Sequence, residues 1–147
     1  MIRILVIGGL GFILVHSNLP RGAQNKTESL EGVWKVLSIK ENGMALPKSE
    51  IADLKLTVVG KVLVMNKGKT RLYDGLYVRD NSKKPKTLDV TFTMAKKKIQ
   101  WIGIYRLEDE TLTVCGVPKG KKRPTDFTSK KGSARQLAVY KRVKKYD

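Results

Sequence analysis

The stretch Leu88-Asp89-Val90-Thr91-Phe92-Thr93-Met94, with Ile99-Gln100-Trp101-Ile102-Gly103-Ile104-Tyr105-Arg106-Leu107 after it, decides the class of fold. Leu88, Val90, Phe92 and Met94 alternate with Asp89, Thr91 and Thr93. Successive side chains of a strand point to opposite faces, so this segment has one face in the core and one in water. Trp101, Gly103, Tyr105 and Leu107 share a face in the same way, opposite Gln100 and Arg106. The short connection between the two segments carries Lys96, Lys97 and Lys98.

Working outward, alternation recurs after Leu30, and turn chemistry returns about every 8–12 residues, the signature of a sandwich or a barrel. Eight strands are predicted, over 33–41, 55–59, 62–66, 70–79, 87–94, 99–107, 111–117 and 135–143. Turn residues separate them: Asn42-Gly43, Val59-Gly60-Lys61, Lys67-Gly68-Lys69, Asn81 to Pro85, and Glu108-Asp109-Glu110. Gly75, beside Asp74 in mid-strand, marks a bulge or a close approach. One helical turn is expected at 49–54, after Pro47, between the first two strands. No long amphipathic helix is present, which excludes parallel βαβ architectures, and no internal repeat or linker is visible.

The first residues have the layout of a secretory signal peptide: Arg3, then the uncharged run Ile4 to Val15, then small and polar residues with a proline. Twelve apolar residues are too few to cross a bilayer as a helix, which takes roughly 20. Cleavage after Ser17 leaves Val15 and Ser17 in the small-residue sites. The expected organisation is a signal peptide over 1–17, a flexible mature N-terminus over 18–29 and one domain over 30–147. The destination is the periplasm, the cell envelope or the outside. No transmembrane segment is expected in the mature chain.

The inventory of reactive residues is short. The 147-residue chain has one His and one Cys. Processing after Ser17 removes His16, leaving no His for a catalytic triad or a metal site. Cys115 is alone, so no internal disulfide or cysteine-cluster zinc site exists; in a strand it reads as a small buried hydrophobe. The carboxylates are few. Asp74 lies in mid-strand, Asp109 lies in an acidic turn, and Asp126 stands beside Arg123 as a possible local ion pair. Nothing in their spacing marks the paired acids of a glycosidase. No catalytic residue, cofactor or metal is expected.

Leu30-Glu31-Gly32-Val33-Trp34-Lys35-Val36 resembles the opening of lipocalin-like (calycin) barrels, whose first strand carries Gly-x-Trp. Most of the chain from Leu30 to Val143 is similar to a small uncharacterised domain family typical of planctomycete bacteria. The matching segments are Leu46-Pro47, Lys83-Lys84-Pro85-Lys86 before Leu88-Asp89, and Gly103-Ile104-Tyr105 before Leu112. Cys115, Arg123-Pro124-Thr125 with Phe127, and Lys141-Arg142-Val143 complete the set. The resemblance implies export and an all-β fold, an eight-stranded antiparallel up-and-down lipocalin-like barrel with one short helix between strands 1 and 2. It implies no activity. It also implies that Gly32 and Trp34 sit where one end of the barrel closes, with Arg142, or next to it Lys141, packed across the indole.

Charge supplies the functional expectation. Lys and Arg number 30 against 13 Asp and Glu, a net charge of +17. In an up-and-down barrel alternate connections gather at one end. Those after strands 1, 3, 5 and 7 carry Lys48, Lys67, Lys69, Lys96, Lys97, Lys98, Lys119, Lys121, Lys122, Arg123, Lys130 and Lys131, opposed by Glu50, Asp53 and Asp126. The other end carries Lys61, Lys83 and Lys84 with Asp80, Glu108, Asp109 and Glu110. The expected site is a basic mouth of Lys67, Lys69, Lys96, Lys97, Lys98, Lys121, Lys122 and Arg123. The expected function is non-enzymatic binding there of a small or anionic ligand: polysaccharide, lipid headgroup or fatty acid. The alternative is a cell-envelope protein that adheres to anionic polymer by charge, with a filled barrel. Nucleic acid is disfavoured, because the basic loops lack interleaved aromatics apart from Phe127.

Overall fold

The computed structural model describes residues 28–146. The expected signal peptide over 1–17 and all but the last two residues of the expected 18–29 segment lie outside the described residues. The chain forms β1 (Gly32–Glu41), β2 (Met44–Ala45), α1 (Lys48–Ile51), β3 (Leu54–Val59), β4 (Val62–Lys67), β5 (Thr70–Asp80), β6 (Lys86–Met94), β7 (Lys97–Glu108), β8 (Thr111–Pro118) and β9 (Gln136–Lys144). Neighbouring strands pair antiparallel in chain order, and β9 returns to pair with β1. Leaving aside the two-residue β2, eight strands close an up-and-down barrel, with α1 between β1 and β3.

All eight predicted strands form, and their ends shift by at most two residues. The expected helix over 49–54 is shorter because Leu54 pairs with Lys67 and so belongs to β3. The strand β2 was not expected. Asn42 and Gly43 both take positive φ, 49° and 87°, and turn the chain so that Lys40 pairs with Ala45. Gly75 is a close approach and not a bulge: a Cβ there would stand 2.5 Å from the Thr91 carbonyl oxygen. The irregularity of the neighbouring ladder falls instead between Met65 and Asn66.

The alternation read from the sequence sets which residues face inward. Leu56, Val58, Leu63, Met65, Leu88, Tyr105 and Leu112 belong to one buried cluster inside the barrel, together with Trp34 and Tyr140. On β7 and β8 the pattern breaks, because the outward face is buried as well. Ile104, Cys115 and Val117 are at most 1% exposed there, with Pro124 of the segment 119–135 also fully buried. That segment lies on the outer wall and shields it from water. Among the described residues, no helix is long and apolar enough to cross a membrane.

Candidate functional site

One end of the barrel is sealed by the first strand and the last. Trp34 is fully buried, and its indole N–H donates to the Leu30 carbonyl at 2.9 Å. The Arg142 guanidinium lies 4.3 Å from the Trp34 ring centroid. Its Nη1 donates to the carbonyl of Glu31, and its Nη2 to that of Ser29 at 2.8 Å. The Glu110 carboxylate sits against Nε as an ion pair without the alignment of a hydrogen bond. Gly32, at φ 131°, lets β1 pass so close to the chain end that a Cβ would collide with the Lys144 carbonyl. Lys141 points elsewhere, donating to the Asp109 carbonyl.

The barrel interior is hollow. A cavity of about 510 Å³ runs through it. Leu30, Val58, Leu88 and Leu112 line the sealed end, and all are buried. At the other end the lining reaches Glu41, Met94, Pro118 and Gln136, which are exposed or half-exposed. The exposed lining residues at that end show that the cavity communicates with the outside at its Met94 end. Its volume falls within the roughly 300–1,000 Å³ of ligand sites. Leu88, Phe92, Met94 and Trp101 line this space without filling it.

The lysines of the expected mouth stand at the open end. Lys67 and Lys69 flank the β4–β5 turn, and Lys96, Lys97 and Lys98 occupy the β6–β7 hairpin. All five are exposed, and none is in an ion pair among the described residues. They stand along one side of the entrance, on two neighbouring hairpins, without lining the cavity. The polar groups on the lip itself are Glu41 and Gln136, joined by a 2.7 Å hydrogen bond from the Gln136 amide.

Lys121, Lys122 and Arg123 are placed differently. They line a separate recess of about 400 Å³ in the segment 119–135, together with Lys130, Arg135 and Asp126. The two cavities share no lining residue. Arg123 is committed to the barrel wall: its Nη2 donates to Asp89 at 3.0 Å and its Nη1 to the Gly103 carbonyl at 2.7 Å. Asp89 raises the guanidinium pKa by that hydrogen bond, holding its charge more firmly. Asp126, expected beside Arg123, pairs with Arg135 at 2.8 Å. Its carboxyl is held below the usual carboxylate range, first by the Thr128 hydroxyl and then by Arg135. Phe127 lies under the Arg106 guanidinium, 4.7 Å away, and so packs on the wall.

These tethers cover Cys115, which is fully buried and whose Sγ faces the Thr128 carbonyl at 3.5 Å. Burial pushes its thiol pKa up, an inert setting for a cysteine. Arg123→Ala is expected to release the segment and raise the rate of Cys115 modification by a thiol reagent at least tenfold, with the β-sheet circular dichroism retained. An unchanged rate would show that Arg123 does not hold the segment down.

The remaining carboxylates are dispersed. Asp74 is exposed on β5, and Asp109 and Glu110 form the β7–β8 turn with positive φ at the sealed end. Among the described residues no group of three His, Cys, Asp or Glu is placed to hold a metal. Sequence reasoning did not anticipate the tyrosines on the cavity wall, Tyr73, Tyr77 and Tyr140. The inward parity of their strands was the available signal. Compared with protein-family models and with curated proteins, the chain matches none of them.

Proposed function

We propose that this protein is an exported, lipocalin-like barrel that binds a small amphipathic ligand without chemical conversion. The ligand's apolar part enters the barrel, and its anionic end stays outside among Lys67, Lys69, Lys96, Lys97 and Lys98. One observation carries this reading: an apolar cavity of about 510 Å³ opens at the end of the barrel where these unpaired lysines cluster. Exposed charges reach about 8–10 Å at physiological salt. They steer and hold a headgroup, while apolar burial supplies affinity that salt does not screen.

The test is a titration of an alkyl phosphate against wild type, a Lys96/Lys97/Lys98→Ser variant and a Lys61/Lys83/Lys84→Ser variant of equal charge. Weaker binding in the first variant only, with part of the wild-type affinity kept at high salt, is the expected result. Equal loss in both variants would mean that binding follows total charge and that no mouth exists.

The recess of Lys121, Lys122, Lys130 and Arg135 favours a second reading, adhesion to anionic polymer through the outer face. Sulfated polysaccharide binding that vanishes in Lys121/Lys122/Lys130→Ser, and leaves alkyl phosphate binding intact, would support it.

A further inference from the structure

Four tyrosines have buried or half-buried side chains on the inward faces of the barrel, and they fall into two pairs. Tyr77 donates its hydroxyl to the Gly60 carbonyl at 2.9 Å. Tyr105 donates to Asn81 and lies near Arg79 Nη1. Both phenols are thereby satisfied at the sealed half. Tyr73 and Tyr140 have no hydrogen-bond partner among the described residues, and no hydrogen bond contributes to the state of either phenol. Both line the cavity. Tyr140 is 8% exposed. Its hydroxyl is not among the sealed-off polar atoms that lack a partner, so the little surface it retains belongs to the lumen.

Polar groups held inside a fold are nearly always hydrogen-bonded to protein, water or ligand, so two phenols that face the lumen without a protein partner keep their donors for an occupant of the cavity. These two arise from opposite walls. β5 and β9 stand four strands apart in either direction around the eight-stranded ring. The Tyr73 ring is fixed against Phe92, with centroids 4.9 Å apart. The Tyr140 ring is fixed in the main cluster between β1 and β8, where its residue pairs with Val36 and Leu112. The two phenols are close enough for the charge of one to oppose ionisation of the other, yet no hydrogen bond joins them. Burial pushes the Tyr73 phenol up to about 12 and raises Tyr140 as well, so both remain protonated donors.

Resting on the proposed ligand-binding reading, we infer that Tyr73 and Tyr140 form a polar subsite inside the barrel for an uncharged carbonyl oxygen, that of an acyl ester in the body of the ligand. The apolar walls exclude a charged occupant at this depth. Among the described residues, the only Asp, Glu, Lys or Arg on the cavity lining is Glu41, at the lip. A carboxylate brought in among apolar groups without a counter-ion would lose its hydration uncompensated. A neutral carbonyl loses far less, and two phenolic O–H donors match its two lone pairs. The ligand is therefore an acyl ester whose anionic group remains outside with the rim lysines.

The test compares 1-acylglycerol phosphate with 1-O-alkylglycerol phosphate of equal chain length, which differ only by that carbonyl. Calorimetric titration is run below micellar concentrations on wild type, Tyr73→Phe, Tyr140→Phe and the double variant. Wild type is expected to prefer the acyl form about tenfold, the effect of one or two net hydrogen bonds. The double variant is expected to lose that preference and to keep its affinity for the alkyl form. A tyrosine absorbance difference on binding the acyl form alone reports the same contact in unaltered protein. Equal affinities in wild type, or a preference that survives in the double variant, would overturn the subsite and leave the cavity reading standing. No binding of either probe would overturn both.

Discussion

Trp34→Ala is expected to lower the unfolding free energy by about 3–5 kcal/mol, the range for deleting a buried aromatic. The indole is fully buried, holds the Leu30 carbonyl and supports the Arg142 guanidinium. Its loss opens the sealed end and leaves a buried guanidinium over a void. Against a total stability of roughly 5–15 kcal/mol, this is a large share. Arg142→Ala costs less, because the cation–π contact is worth roughly 0.5–2 kcal/mol. It also frees the Ser29 and Glu31 carbonyls, which water can then reach. The two effects are expected to couple in a double-mutant cycle measured by denaturant unfolding. Strict additivity would show that the ring and the guanidinium do not support each other.

The second large effect is on binding. Ala138 is buried on β9, lines the cavity and stands two residues from Tyr140. Ala138→Phe puts a ring into the lumen, where there is room for it, so strain from overpacking stays small. The ring removes ligand space, and affinity for an alkyl phosphate is expected to fall at least about 100-fold, since each tenfold needs only about 1.4 kcal/mol. The thermal midpoint should hold or rise, because the new side chain buries apolar surface. Unchanged affinity in a folded Ala138→Phe protein would place the ligand outside the barrel.

The sequence announced the strands well, because a barrel with one wet face imposes strict alternation. Leu88, Val90 and Phe92 face inward as their spacing requires. Gly32, Trp34 and Arg142 were legible through resemblance, since their contacts span the whole chain and no local pattern shows them. Four features were hidden for physical reasons. The β6–β7 hairpin turns on Ala95 and Lys96, both at positive φ, without the Gly or Asn that would mark such a turn. Ile104, Cys115 and Val117 are buried on the outward face because a distant segment, 119–135, covers them; alternation alone assigns that face to solvent. Arg123 looked like part of a basic mouth by its place in a lysine-rich loop. Its partner Asp89, 34 residues earlier, draws it to the wall. The cavity was least legible of all, since whether inward side chains meet at the axis depends on barrel geometry.

A crystal structure with an ω-bromoalkyl phosphate tests the central claim most directly, because the anomalous signal of bromine locates the chain terminus without interpretation of weak density. The expected result is a bromine peak inside the barrel, beyond Tyr73 and Tyr140 toward Leu88 and Leu112, with the phosphate at the open end near Lys96 to Lys98. A bromine peak on the outer face, or a phosphate seated in the Lys121 recess with the lumen unchanged, would contradict it.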